Sequence, residues 1–406
     1  VPGLLRAAED RGQHLLAEHD ALERRLFEAA LAVREAWAAL HADELLKAVG
    51  SALALARSER SLRRLWSDQE EAWQRLCRLF GVWGCTLLSL GNGFPAEQGV
   101  IARLVVDEAG QCHPAYAVSG LLRCESALII GDVHQLEPVI DLEPDDDERV
   151  VAACKLSLSR AELQPYRVHN QALSSVQSLA DRAVRTRPRL IDHFRCQPEI
   201  IAISDALCRY GLQVHTPRRG PAVPLPFLPE PVSFLDVAGS QERLGGSWYN
   251  AAEVTLTAEL MQALLHAGMD ASDVAVITPY RGQLEQLRKA FLRAGIAIER
   301  SGELAESDEP APAAYSGVAL GTVHRFQGGE RSVVLFSSVI TRAASLGFLD
   351  DRANLLNVAV SRARHRLVTL GSAAVLARGQ RTRLITRAAT LLEPEAFRRQ
   401  LGLGLR

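Results

Sequence analysis

Leu104 to Gln111 reads L-V-V-D-E-A-G-Q, and Leu128 to Val139 reads L-I-I-G-D-V-H-Q-L-E-P-V. Each is a short apolar run ending in acidic residues, the pattern of a buried parallel strand whose carboxyl end presents charge to a ligand crevice. Two adjacent carboxylates at such a strand end, Asp107 and Glu108, can hold a nucleotide-bound magnesium ion and polarise an attacking water. The matching phosphate grip is absent. A loop of the form G-x-x-x-x-G-K-[ST] cradles phosphates with backbone N–H groups and neutralises them with its lysine. The chain has only Lys47, Lys155 and Lys289, and none of them follows a glycine.

The elements that must position these acids can be read around them. A length of 406 residues suggests roughly two to three domains. From Leu4 to about Phe80 the chain is rich in Ala, Leu, Glu and Arg without proline, and apolar residues recur at helical spacing: Leu22, Leu26, Ala29, Ala30, Val33, Trp37 and Leu40. This predicts two or three long amphipathic helices, a stalk or insertion over residues 1–83, with a coiled-coil surface for a protein partner as the minor alternative. Gly81 to Pro95 marks the change to strands and loops. Between Leu104 and Val139 two buried strands are expected to flank a helix, as in a doubly wound α/β domain. The acidic run Asp141 to Arg149 reads as a solvated loop rather than a metal site. Leu173 to Arg187 reads as helix, and Pro188 marks the passage to a further domain. There, apolar runs at Val232 to Leu235, Val274 to Ile277, Val333 to Phe336 and Leu367 to Leu370 alternate with helices such as Gln283 to Ala294, which predicts a second parallel sheet covered by helices. The proline-rich stretch Pro217 to Pro231 and the stretch Gly302 to Gly317 read as surface connections.

Composition narrows the class. The net charge is −2, so bulk charge announces no nucleic-acid partner, although a local basic groove is compatible with it. Seven cysteines form no C-x-x-C pair, which argues against a zinc module and a disulfide framework and points to a reducing cytoplasm. No apolar run approaches the ~18 residues of a membrane span. Val1 rather than methionine opens the chain, and the expectation is a fragment or processed product.

Six blocks then follow in order: D-E-A-G-Q at Asp107, G-D-V-H-Q-L-E-P at Gly131, H-F-R-C-Q-P-E-I at His193, V-I-T-P-Y-R-G-Q at Val276, G-T-V-H-R-F-Q-G-G-E at Gly321 and N-V-A-V-S-R-A-R at Asn357. Together they resemble superfamily one helicases, most closely the Upf-like branch whose members move along RNA or DNA, over about Gly84 to Ser372. The resemblance implies two RecA-like doubly wound parallel-sheet domains, the first incomplete (84–187) and the second spanning 188–406, preceded by the helical stalk. It implies ATP and Mg2+ as cofactors and single-stranded nucleic acid, RNA or DNA, as partner, with five-prime to three-prime polarity.

Carried over residue by residue, the resemblance makes Asp107 the magnesium-binding acid and Glu108 the group that positions or activates water. Gln135 would touch the γ-phosphate and link nucleotide state to domain movement. Arg195 and Arg362 match the family arginines that stabilise charge on the transferred phosphoryl group. Phe194, where relatives often have tyrosine, would stack on the base, ordinary core packing being its alternative. Glu330 would face the ribose or phosphate region, with Gln327 and Gly328 shaping its loop. Thr322, Tyr280 and Arg281 would line the nucleic-acid channel, although Tyr280 reads equally as a packed loop aromatic. His113, His134 and His324 lack metal spacing and read as structural.

In the family the phosphate-binding loop lies upstream of the helical insertion, so its absence is expected to reflect truncation, with exposed sheet edges in the first domain. The leading expectation is an ATP-driven helicase or translocase represented by part of its length, inactive as an isolated chain. The alternative is a catalytically silent nucleic-acid-binding or scaffolding protein that kept the fold, and a third reading is a motor module of a larger nuclease-fused enzyme.

Overall fold

The structure is a computed structural model and describes residues 2–57, 63–139, 143–155, 157, 159–163, 175–185, 187–299, 317–326 and 329–401. Gln327, Gly328, Asp141 and residues 302–316 therefore lie outside the described residues. The chain divides into two compact units, one of Val1–Val106 with His113–Ile129 and one of Asp107–Cys112 with Ile130–Arg406. This division differs from a boundary at Pro188: the segments carrying Asp107, Glu108 and Gln135 belong to the second unit, held there by backbone packing described below.

In the first unit the alanine- and leucine-rich run forms helices α1 (Pro2–Leu40), α2 (Ala42–Arg57), α3 (Arg63–Asp68) and α4 (Glu70–Leu79). Glu70 and Glu71 in the first turn of α4 and Arg78 in its last turn complement the helix dipole. Ala48, Leu65, Trp73, Leu76, Leu90 and Phe94 form the buried cluster, with the Trp73 ring edge-on to Phe94 at 5.2 Å. Leu22, Leu26 and Val33 on α1 are 61%, 72% and 70% exposed, so helix propensity rather than burial sustains that stretch. Strand β1 (Ile101–Val106), helix α5 (Pro114–Leu121) and strand β2 (Cys124–Ile129) follow, and the two strands pair in parallel with Leu104 opposite Ala127. Both strands were expected to be buried. Leu104 and Val106 are, but β2 is largely exposed, because among the described residues these strands pair only with each other.

The second unit contains helix α6 (Pro144–Ala153), which corrects the expectation of a loop over Asp141 to Arg149. Three consecutive acids resemble a solvated linker, yet Asp145, Asp146 and Asp147 occupy a helix's first turn beside a proline, where the dipole stabilises them. Helices α7 (Val176–Ala183) and α8 (Pro198–Cys208) lead into the alternation of strand β3 (Val232–Asp236), helix α9 (Ala251–His266), strand β4 (Val274–Thr278), helix α10 (Arg281–Arg293), strands β5 (Ala319–Thr322) and β6 (Arg331–Ser337), helix α11 (Ala353–Ser361) and strand β7 (Ala363–Gly371). With β8 (Thr390–Leu392) they build a six-stranded sheet of order β8-β3-β7-β6-β4-β5, with parallel pairing throughout.

The apolar runs are continuous because both faces of this sheet are covered. Phe234, Ala275, Ile277, Val334, Phe336 and Leu367 face one core with Ile200, Ile203 and Leu356. Their neighbours Leu235, Val274, Val276, Val333, Leu335 and Val368 face the other with Leu256, Leu260 and Phe291. The side-chain period of two thus divides each run between two cores. No helix among the described residues is long and apolar enough to cross a membrane.

Glu253 on α9 is a fully enclosed carboxylate of this unit and accepts from Ser337 Oγ at 2.7 Å, the Val339 amide at 2.9 Å and Asn250 Nδ2 at 3.1 Å. Gln283 donates to the same Ser337 hydroxyl at 2.8 Å, and Val339 is held at a φ of 68°, costly for a β-branched residue. Burial outweighs these donors and raises the Glu253 pKa from 4.5 to about 7. Between these values the folded chain holds a proton that the unfolded chain has lost, so stability falls as pH rises from 4.5 through about 7. Thermal unfolding recorded from pH 5 to 8 should therefore slope downward in the wild type, and Glu253→Gln should flatten that slope.

Candidate functional site

Asp107 and Glu108 directly follow β1, and both are exposed. The Glu108 amide donates to Asp107 Oδ1 at 2.9 Å, and Gln111 Nε2 donates to Glu108 Oε2 at 2.8 Å. Glu108 adopts a φ of 52°, a left-handed conformation that a non-glycine residue keeps only where its surroundings impose it. The imposing contact is visible. The Ala109 amide donates to the Ile130 carbonyl at 2.9 Å, and Gly110 and Gly131 place the two motif loops backbone against backbone. A Cβ on Gly131 would lie 2.6 Å from the Gly110 nitrogen, and one on Gly110 would collide with the Asp132 carbonyl. The glycines of D-E-A-G and G-D-V-H are thus required by close approach. Beyond them Leu136 is buried, while Gln135 keeps its side-chain oxygen buried without a hydrogen-bond partner.

The two arginines are brought side by side by a backbone strap. The Gln197 amide donates to the Arg364 carbonyl at 2.9 Å, and Cys196 Sγ lies 3.5 Å from the Ser361 carbonyl oxygen. His193 Nε2 accepts from the Cys196 amide at 2.8 Å and shapes the turn that presents Phe194 and Arg195. Phe194 is 71% exposed, with its ring stacked on His215 at 5.0 Å, rather than packed in the core. Arg195 pairs through Nε with Glu330 at 2.8 Å, and both side chains remain partly open to solvent. An ion pair of this kind contributes at most ~1 kcal/mol, so a phosphate can displace the carboxylate.

Arg362, expected with Arg195 to reach a γ-phosphate, is the more enclosed of the two. It is the C-cap of α11 and buried, with Nε donating to the Val358 carbonyl at 3.2 Å and Nη1 to the Gly329 carbonyl at 3.2 Å and the Phe326 carbonyl at 3.4 Å. It therefore ties together Phe326 and Gly329. Burial, and next the charge of Arg195, lower its affinity for a proton, whereas Glu108 and Glu330 favour the charged form. Two guanidinium groups held together with carboxylates around them form an anion-seeking site.

Thr322 ends β5 opposite Thr278 of β4, and Arg281, which opens α10, is exposed. Tyr280 departs from a channel-lining role: it is buried and stacked on Phe348 at 4.9 Å, and burial raises its phenol to about 12. Sequence reasoning missed the group outside that pair, Arg352, whose guanidinium lies 4.4 Å from the Phe348 ring centre. Burial, then Arg352 and Arg281, lower the His324 pKa, so these cations share one neighbourhood. Arg352 carries no motif signal. Of the other histidines, His113 caps α5 by accepting from the Ala115 amide at 3.2 Å, and His134 sets its ring against Tyr210 at 5.4 Å. His19, Asp20 and Glu23 are the one metal-compatible group among the described residues, exposed on α1 and far in sequence from Asp107.

A nucleoside triphosphate with magnesium fits the donor set at its γ-phosphate end: two exposed carboxylates, an unpartnered buried amide oxygen, and a guanidinium released by breaking one half-exposed ion pair. The six-stranded sheet, parallel throughout and covered by helices on both faces, is the architecture of a RecA-like α/β domain. Residues 173–374 match the AAA domain family model, and the chain is similar to superfamily one helicases of the Upf-like branch. It is 27% identical over 333 residues to mov-10-B.1 of Danio rerio, covering 72% of this chain and 30% of that protein. It is 28% identical over 280 residues to the 5'-3' DNA helicase ZGRF1 of Mus musculus, covering 67% and 13%, and 26% identical over 302 residues to regulator of nonsense transcripts 1 of Dictyostelium discoideum, covering 71% and 20%. The chain thus spans less than a third of the length of these relatives.

Proposed function

We propose that this chain supplies the hydrolytic and arginine-bearing part of an ATP site in a helicase or translocase that moves along single-stranded RNA or DNA. The supporting observation is the gathering of Arg195, Arg362, Glu108 and Glu330 in one compact unit, close enough to act on one another's charge. Asp107 is the residue to hold magnesium, which when bound would supply neutralising charge at the phosphates. Glu108, fixed by its imposed backbone conformation, orients the attacking water. The open amide oxygen of Gln135 suits a water that donates to it, and Arg195, leaving Glu330, stabilises the phosphoryl charge. Phe194 offers its exposed face to the base, and Thr322, Arg281 and Arg352 offer hydroxyl and guanidinium groups to a phosphate backbone. By kinship with the mouse relative, named a 5'-3' DNA helicase, we assign the same polarity, and we place the protein in the cytoplasm.

Fluorescence polarisation of labelled single-stranded DNA and RNA 15-mers, with ATPγS or ADP present and with a protein carrying these residues together with a phosphate-binding loop, tests this reading. The two nucleotides should give strand affinities that differ by about tenfold, a coupling of ~1.4 kcal/mol. Salt-dependent binding that is indifferent to nucleotide would instead establish the silent nucleic-acid-binding alternative.

A further inference from the structure

A hydrogen-bonded chain that no motif assignment uses runs through the second unit. Asn357, buried on α11, donates through Nδ2 both to the Tyr210 hydroxyl at 2.8 Å and to the His134 carbonyl at 3.0 Å. The Tyr210 hydroxyl donates to Asp132 Oδ2 at 2.6 Å, and Asp132 Oδ1 accepts from the His134 amide at 2.8 Å. Every donor points toward an acceptor, and the terminal carboxylate makes the chain charge-assisted. Burial, and next the Asp132 carboxylate, raise the phenol pKa of Tyr210 well above its ordinary range.

Tyr210 is aimed with some care. Helix α8 ends in Arg209 at a φ of 56°, and Asp205 Oδ1 accepts from the amides of Gly211 at 2.7 Å and Leu212 at 3.3 Å. A left-handed arginine is disfavoured, so the turn is held there by these bonds. The position of each partner matters. Asp132 and His134 belong to the loop that carries Gln135, Asn357 sits on the helix that ends at Arg362, and Tyr210 follows the helix that Arg195 precedes.

We propose that Tyr210 and Asn357 are positioning residues: they fasten the Gln135 loop to the arginine-bearing helices, so that the glutamine and both arginines meet the γ-phosphate in register. In its link to the γ-phosphate this rests on the functional reading above; the fastening itself does not. The phenolic oxygen joins Asp132 to Asn357 alongside the direct Asn357–His134 bond, which makes Tyr210→Phe the probe of the tyrosine's share in the fastening, and Asp132→Asn a second variant that weakens the same link.

Hydrogen–deuterium exchange and nucleotide titration decide the matter together. In Y210F the amides of residues 133–136 should exchange at least about tenfold faster, as expected for the loss of one charge-assisted hydrogen bond, while residues 274–278 keep wild-type rates. The ratio of ADP to ATPγS dissociation constants should fall toward one in Y210F and in D132N. Unchanged exchange at 133–136 overturns the fastening, and faster exchange with an unchanged ratio overturns its link to the γ-phosphate. The nucleotide titration uses a protein carrying these residues together with a phosphate-binding loop; if its wild type fails to distinguish ATPγS from ADP, the functional reading fails, while the exchange result still settles the fastening.

Discussion

Arg195→Ala should lower ATP hydrolysis by ~10³-fold or more, while leaving thermal unfolding unmoved, in a protein carrying these residues together with a phosphate-binding loop. The magnitude follows from a guanidinium acting on charge that develops in the transition state. The unchanged stability follows from its surroundings, since Arg195 is half exposed and its partner is one half-exposed carboxylate. Arg362→Ala should lower both. Its guanidinium is buried on the carbonyls of Val358, Phe326 and Gly329, so truncation strands buried acceptors and unties Phe326 from Gly329, at a cost on the order of 3 kcal/mol. Single-turnover hydrolysis and calorimetry on the two variants separate these effects. Equal loss of stability in both, or equal hydrolysis in R195A and wild type, would remove Arg195 from the reaction.

The contrast between the arginines shows where sequence stops being informative. The S-R-A and H-F-R blocks mark both residues, and the spacing of blocks marks their common purpose, because chemistry demands residue types. Burial is decided by partners distant in sequence: Arg362 meets Phe326 and Gly329, and Tyr210 meets Asp132 and Asn357, none of them inferable from local pattern. The fold was legible to the extent that burial is uniform. Val232 to Leu235, Val274 to Ile277, Val333 to Phe336 and Leu367 to Leu370 are covered on both faces, so their runs are unbroken and each is a strand of the sheet. Strands β5 and β8 were missed because one contains a glycine and the other is a three-residue edge. Asp145 to Asp147 misled because the same acids suit a loop or a helix N-terminus, and only Pro144 distinguished the two. Tyr280 was open to two readings, because an aromatic after a strand serves equally to pack or to contact a strand of nucleic acid.

The second large effect concerns the two glycines. Gly131→Ala should destabilise the unit containing the six-stranded sheet by about 3 kcal/mol and displace Gln135, because the new methyl would meet the Ala109 and Gly110 nitrogens at 2.8 and 2.6 Å. Flexible side chains can yield to such a contact, but here the obstacles are main-chain atoms tied by the Ala109–Ile130 hydrogen bond. Relief therefore requires separating the D-E-A-G loop from the G-D-V-H loop, which also releases Glu108 from the left-handed conformation that their packing imposes. Gly110→Ala should behave alike, since its methyl meets the Asp132 carbonyl. Gly220→Ala supplies the control, because its nearest neighbour at 3.9 Å is the tip of the Arg366 side chain. Calorimetry on the three variants should show one unchanged transition and two lowered ones. A Gly131→Ala variant as stable as Gly220→Ala would mean that the two loops are not in contact, and the shared placement of Glu108 and Gln135 would lose its physical basis.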